Sequence, residues 1–130
     1  AWVARRFGED WFPQEPAALS EVMAWLAFAQ NECLFGLARA RAVKVFGRPW
    51  DLPQCQEFGR AGLSVLDSHL ADHDWLACER VTIADVACYP YVGLAPAGDI
   101  EIDGYANILA WMRRIQALKG YVHMEGIALV

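Results

Sequence analysis

The segment Thr82-Ile83-Ala84-Asp85 constrains the fold more than any other feature, because it specifies where a helix begins. In a capping box, the N-cap hydroxyl accepts a hydrogen bond from the first turn, and an acidic or amide side chain three residues later accepts one from the N-cap amide. Val81 and Val86 occupy the two positions of a hydrophobic staple around it. The sequence therefore predicts a helix starting after Thr82 and gives Asp85 a structural role, whose loss should cost about 1 kcal/mol.

Apolar residues recur at helical spacing along most of the 130-residue chain. Pro16 suits the first turn of a long helix over residues 16–46. A second helix is expected over 53–70, with a buried stripe that includes Phe58, and a further amphipathic helix over 105–118. The period-2 alternation of strands is missing from the sequence. We therefore predict an all-α fold, a helical bundle with four main helices in one domain.

Composition and charge argue against several classes of function. The chain is 56% apolar and 21% charged, with a net charge of −5. No basic face is evident, so nucleic-acid binding is not expected. The longest apolar stretch, 22–29, is far shorter than the ~20 residues of a membrane span, so we expect a soluble protein without membrane insertion. Four cysteines without a C-x-x-C pair predict free buried thiols and a cytoplasmic location.

Chemistry-bearing side chains are few. No serine or cysteine lies in a recognisable arrangement with a histidine and an acid, so we expect no catalytic residue in this chain. His69 and His73 have the i, i+4 spacing that can hold zinc on one helix face. They lie at a polar helix end, where cationic residues are ordinary, so we do not predict a metal site.

Segment 75–87 (WLACERVTIADVA) resembles the C-terminal helical domain of glutathione transferases, which typically carries W-L-A-G-x-x-x-T-I-A-D there. Segment 108–120 (ILAWMRRIQALKG) is similar to a later helix of bacterial members. Segment 25–36 (WLAFAQNECLFG) lies where the first long helix of that domain lies. The resemblance covers about residues 10–125 and implies a bacterial-type, all-helical glutathione transferase C-terminal domain.

Two positions depart from the family pattern. Cys78 replaces the glycine that usually follows W-L-A. If that position needs a positive φ, a cysteine would be strained, so we expect a different local turn. Leu34-Phe35 stands where some bacterial members offer a His-Lys pair to the thiol site. The resemblance therefore does not extend to a glutathione contact of that kind.

The family architecture has two parts, and the resemblance covers only the second. An N-terminal thioredoxin-like domain binds glutathione and supplies the catalytic residue, and this chain lacks it. Residues 1–8 resemble the tail of that domain's last helix or an N-terminal extension, residues 9–15 a linker, and residues 16–130 the helical domain. Glutathione would be the co-substrate of the full-length parent, and the chain alone is not expected to be active.

The resemblance places a functional face on the first long helix. Seven residues cluster on one side of that helix at 100° per residue: Trp25, Phe28, Ala29, Glu32, Phe35, Gly36 and Arg39. The aromatic members Trp25, Phe28 and Phe35 would form a wall for hydrophobic electrophiles. Asn31 and Glu32 would meet the glutathione amine, since a carboxylate pairs well with an ammonium. In the alternative interpretation, the aromatic residues contact the missing domain or a dimer partner, and Glu32 pairs with Arg39 or Arg41.

Two functions from different classes follow. In the first, the chain is the helical half of a glutathione transferase homodimer and supplies the electrophile wall and part of the dimer interface. In the second, it is a stand-alone protein–protein interaction module without catalysis. A carrier of small hydrophobic molecules is a more remote third. Unpaired apolar surface would favour self-association in the first two cases, at Trp2, Trp11, Phe12, Trp25 and Phe28.

Overall fold

The computed structural model describes residues 2–130, and over that range it is helical without strands. The prediction of an all-α bundle is therefore confirmed. The α-helices are α1 Trp2–Phe7, α2 Pro16–Phe28, α3 Arg39–Phe46, α4 Leu52–Leu70, α5 Ile83–Gly93 and α6 Ala106–Gln116. A π-helical segment, Ala29–Ala38, joins α2 to α3, and two 3₁₀ turns cover Glu9–Trp11 and Ala95–Gly98.

Capping residues set the ends of the long helices. Glu15 accepts hydrogen bonds from the amides of Ala17 (3.0 Å) and Ala18 (2.9 Å), and these bonds lower the pKa of its carboxyl. At the far end, Gly47 adopts a left-handed φ of 64°, which ends the helix. The chain is thus helical from residue 16 to residue 46, as the sequence predicts. Asp51 caps α4 through the amide of Gln54, at 2.9 Å.

The π-helical segment is the part of this long helix that the sequence does not predict. A π-helix has i→i+5 hydrogen bonds and a wider turn than an α-helix, and it occurs often at functional sites. The segment packs against both α4 and α5, and it buries Cys33, Gly36 and Leu37. Side chains that follow Ala29 are therefore displaced from the positions that 100° per residue assigns to them.

Apolar burial concentrates among the long helix, α4, α5 and α6. α5 packs against α2 and the π segment, and α4 packs against the π segment and α6. The largest fully buried apolar side chains are Trp111, Leu63, Leu66, Leu76, Ile100, Ile108 and Met112. Within residues 2–130, no helix combines the length and the apolar character that crossing a bilayer requires.

Asp85 binds three separate parts of this core together. Its carboxylate accepts hydrogen bonds from the amide of Thr82 at 2.9 Å, the amide of Leu76 at 3.1 Å and the indole Nε1 of Trp111 at 2.8 Å. The Thr82 hydroxyl accepts from the amide of Ala84, so the predicted capping box is present. Burial raises the pKa of the Asp85 carboxyl, while the hydrogen bonds act in the opposite direction. Asp85 therefore does more than cap a helix.

The turn before α5 contradicts the expectation for Cys78. Cys78 has a φ of 61° and Glu79 a φ of 51°, both in the left-handed region that glycine favours. The Cys78 amide donates to the Glu21 carboxylate at 2.9 Å, and its Sγ lies 3.5 Å from the Ala18 carbonyl oxygen. The expectation that a cysteine would change the turn is wrong, because contacts with α2 hold the left-handed conformation.

Replacing Asp85 by alanine should destabilise the protein well beyond the loss of an ordinary cap. Three buried N–H donors would lose their acceptor, at about 1–3 kcal/mol each. We expect the free energy of unfolding to fall by at least about 3 kcal/mol, measured by urea denaturation. Asp103→Ala, an exposed carboxylate in a loop, is the control and should change it by less than about 0.5 kcal/mol. Equal effects of the two substitutions would contradict this role for Asp85.

Candidate functional site

A groove opens between the π segment and α4, with a volume of about 270 Å³. We call it the Glu32 groove. Its lining comes from both helical elements: Asn31, Glu32, Phe35, Arg39, Gln54, Cys55 and Phe58. Three of the residues predicted to bind substrate, Asn31, Glu32 and Phe35, therefore lie together in one groove.

Close contact between two glycines positions the groove. A Cβ atom at Gly36 would lie only 2.4 Å from the backbone nitrogen of Gly59 and 2.6 Å from its Cα, so the two backbones touch. A Cβ at Gly59 would meet the side chains of Ile100 and Leu37, at 2.7 and 3.0 Å. The π segment thus approaches α4 as closely as backbone atoms allow, and the flanking side chains project outward as the groove lining.

Arg39 lies on aromatic rings at the groove. Its guanidinium carbon lies 4.1 Å from the ring centroid of Phe35 and 4.7 Å from that of Trp50, distances typical of cation–π contacts. Within residues 2–130, no cationic nitrogen lies within 4.0 Å of the Glu32 carboxylate. The alternative in which Glu32 pairs with Arg39 or Arg41 is therefore not what the structure shows. Glu32 is solvent-exposed and offers its charge at the groove.

Trp25 and Phe28 form an aromatic pair beside the groove. Their ring centroids are 5.1 Å apart, and Trp25 also contacts the imidazole of His69 at 4.7 Å. A Cβ at Gly62 would lie 3.7 Å from Phe28 and 3.4 Å from Glu32, so Gly62 lies where this aromatic pair meets the groove lining. Trp25 and Phe28 are partly buried against the core, so they offer less free surface than the sequence suggests.

The two histidines of α4 and the loop after it make polar contacts within the protein. His69 and His73 stack with ring centroids 4.3 Å apart. His69 Nε2 lies 3.0 Å from the Leu76 carbonyl oxygen, and His73 Nδ1 lies 2.5 Å from the Glu79 carboxylate. Over residues 2–130, no group of three or more histidine, cysteine or acidic residues is placed to hold a metal ion.

The contribution of α4 to the groove is what sequence reasoning missed. Phe58 belongs by spacing to the buried stripe of α4, but 57% of it is exposed. The prediction that it is buried is wrong, because Gly36 and Gly59 bring the backbones together and leave no room between them for a large side chain. The sequence signal that points to this site is the pair of small residues Gly59 and Gly62 on α4, which allows another helix to approach closely but does not identify that helix.

A larger cavity of about 410 Å³ lies between α5, α6 and the C-terminal segment. The hydroxyls of Tyr89 and Tyr121 are 2.8 Å apart, and the Gln116 amide donates to the Tyr89 hydroxyl at 3.0 Å. Burial is the main cause that raises the pKa of Tyr89 to about 12. Tyr89 therefore stays protonated near neutral pH.

Comparison with known proteins identifies the family. Residues 53–119, about half of the chain, match the family model described as "Glutathione S-transferase, C-terminal domain". This chain belongs to that family. The resemblance noted in the sequence is confirmed, and the glutathione S-transferase C-terminal fold accounts for the helical bundle and for its capped α5.

Solved structures show the same fold. A glutathione S-transferase from Pseudomonas fluorescens superposes with a TM-score of 0.87 at 28% identity, covering 95% of this chain and 63% of that one. A glutathione S-transferase from Xanthobacter autotrophicus superposes with a TM-score of 0.81 at 33% identity, covering 89% of this chain and 59% of that one.

A curated relative is the disulfide-bond oxidoreductase YghU of Escherichia coli, which is 25% identical over 124 residues. This chain spans 43% of that protein's length and about 60% of the two solved structures. The comparisons therefore concern a part of each relative.

Replacing Gly36 by alanine should separate the π segment from α4. The new methyl group would meet the backbone of Gly59, which cannot rotate away, and overpacking of this kind typically costs about 1–3 kcal/mol. We expect a lower unfolding midpoint in urea. Gly104→Ala is the matched control, because a Cβ there meets no atom within 4 Å and φ is not positive. A Gly36→Ala protein as stable as Gly104→Ala would show that the close contact is dispensable.

Proposed function

We propose that this chain is the helical half of a two-domain glutathione transferase-like protein, and that the Glu32 groove faces its substrates. In this proposal Phe35, with Trp25 and Phe28 beside it, forms an apolar wall for a hydrophobic electrophile. Asn31 and Glu32 bind the amine of glutathione, the co-substrate. The glutathione thiol is activated by a thioredoxin-like domain outside this chain, so the chain has no transferase activity on its own.

The charge of Glu32 is the observation that carries this proposal. An exposed carboxylate that has no cationic partner among residues 2–130 lies beside the aromatic side chains of Phe35 and Phe58 in one groove. Such a groove suits a ligand with an ammonium group next to an apolar body, because the carboxylate pairs with the ammonium and the rings bury the apolar part. The π-helical turn that carries Asn31, Glu32 and Phe35 is a further feature that accompanies functional sites.

The division of the chain is part of the same proposal. Residues 1–8 are the tail of a preceding domain's last helix, residues 9–15 a linker, and residues 16–130 the helical domain. In support, α1 buries none of its residues against the bundle, and Trp2 and Phe7 are 68% and 73% exposed. A helix with such an apolar surface is expected to pack against further protein.

We also propose that the protein forms a homodimer through the face that carries the Glu32 groove. Phe58, Phe35 and Trp50 are 57%, 40% and 41% exposed on this face. Aromatic side chains of this kind are enriched at the centres of protein interfaces. A dimer would place each groove beside the partner subunit, so that Glu32 reaches glutathione held by the neighbour.

A stand-alone interaction module is the second candidate, favoured by the exposure of Trp2, Phe7 and Phe46. The two functions differ in the mass of the natural protein. We expect intact mass spectrometry of the protein from its source to give about twice 14.5 kDa, which leaves room for the thioredoxin-like domain. A natural mass of 14.5 kDa would remove the thiol-activating domain and favour the interaction module.

Replacing Glu32 by glutamine in the long form should weaken glutathione binding. The substitution keeps the shape and removes the charge that pairs with the ammonium, so we expect the Kd to rise about three- to tenfold, because an exposed charged hydrogen bond contributes modestly. Calorimetric titration with glutathione measures the change.

Glu57→Gln is the control for this titration, because Glu57 is an exposed α4 carboxylate outside the groove lining. It should leave the Kd unchanged. An unchanged Kd in Glu32→Gln would remove Glu32 from the site, whatever the natural mass of the protein.

A further inference from the structure

The lining of the Glu32 groove carries two charges of opposite sign that do not pair with each other. Within residues 2–130, its charged members are Glu32 and Arg39. No carboxylate oxygen of that range lies within 4.0 Å of the Arg39 guanidinium, and no cationic nitrogen lies within 4.0 Å of the Glu32 carboxylate. Neither charge is compensated by the other, so a ligand that spans the groove can meet both.

Aromatic rings fix where the Arg39 guanidinium lies. Its Cζ atom lies 4.1 Å from the ring centroid of Phe35, which itself lines the groove, and 4.7 Å from the ring centroid of Trp50. A ring stacked on a guanidinium contacts its face and leaves the N–H donors at its edge. That edge is the part of an arginine that receives a carboxylate in two parallel hydrogen bonds. Arg39 is therefore held on the groove lining in a position that suits an anion.

The spacing of the two charges defines the length of a matching ligand. Glu32 and Arg39 are seven positions apart on the continuous helical stretch 16–46. At 1.5 Å per residue, about 10 Å separates the two positions along the helix axis. A single amino acid is too short for this span, because its ammonium and carboxylate are attached to the same carbon. A peptide of three residues extends to about 10 Å, so its terminal ammonium and carboxylate can reach both side chains.

We propose that Arg39 binds the glycine carboxylate of glutathione, while Glu32 binds the ammonium at the other end of the tripeptide. This assignment rests on the function proposed above and adds to it the residue that recognises the length of the co-substrate. Glutathione has two carboxylates, and the one on its glutamyl residue is attached beside the ammonium. The glycine carboxylate is the one at the required distance. The side-chain amides of Asn31 and Gln54, which also line the groove, can pair with the peptide groups of the ligand.

The experiment is a calorimetric titration of the protein at its natural length with glutathione and with glutathione monoethyl ester, in which the glycine carboxylate is esterified. We expect the parent protein to bind glutathione about three- to tenfold more tightly than the ester, because an exposed charged hydrogen bond contributes modestly. In Arg39→Gln, the Kd of glutathione should rise to that of the ester. Arg60→Gln is the control, because Arg60 is an exposed arginine of α4 outside the groove lining, and it should keep the preference for glutathione.

The ratio of the two Kd values keeps the test decisive if Arg39→Gln also disturbs the stack on Phe35 and Trp50. A disturbed groove weakens both ligands alike, whereas the loss of a specific ion pair removes only the preference for the free carboxylate. Equal Kd values in the parent protein would overturn the proposal without any variant. A preference for glutathione that survives in Arg39→Gln would overturn it as well.

Glu32→Gln separates this assignment from the function on which it rests. We expect this variant to bind both ligands more weakly by the same factor and to keep the preference for glutathione. If Glu32→Gln leaves both Kd values unchanged while Arg39→Gln abolishes the preference, the role of Glu32 is wrong and that of Arg39 stands. If Glu32→Gln weakens binding while the preference survives in Arg39→Gln, the role of Arg39 is wrong and that of Glu32 stands.

Discussion

The buried carboxylate of Asp85 is the interaction on which the rest of the structure depends. It accepts hydrogen bonds from the loop before α5, from the first residue of the capping box and from the indole of α6. Because a buried charge is stable only when its hydrogen-bonding capacity is filled, these three segments must adopt their positions together. Trp111 is fully buried and makes one of these bonds, so one side chain belongs to both the apolar core and the polar network.

The candidate site depends on a different constraint, the contact between Gly36 and Gly59. Backbone atoms meet there without intervening side chains, so Phe35, Glu32 and Phe58 line the edge of the contact instead of filling it. The same long helix carries Leu37, Ala38 and Arg41 toward α5, where a smaller cavity of about 130 Å³ lies. This helix therefore lines two separate pockets, one against α4 and one against α5.

Sequence reasoning predicted the elements of the fold but only half of the groove. The helix over 16–46 and the capping box were predictable because capping and periodicity are local effects. Glu32 and Phe35 could be placed on one face for the same reason, whereas Asn31 was assigned only through the family resemblance. The contribution of Gln54, Cys55 and Phe58 could not, because it depends on how closely two helices approach. The left-handed Cys78 is held by contacts from α2, which local preference does not include.

The sequence by itself determined the family, the start of α5 and which residues form the first long helix, because those properties are encoded over short stretches of chain. Only the tertiary structure decided that Asp85 also binds Trp111, that Phe58 is exposed and that Arg41 Nε is buried with no partner in residues 2–130. The physical reason is the same in each case. Burial and hydrogen bonding between residues far apart in sequence are set by the packing of whole helices, and periodicity describes each helix separately.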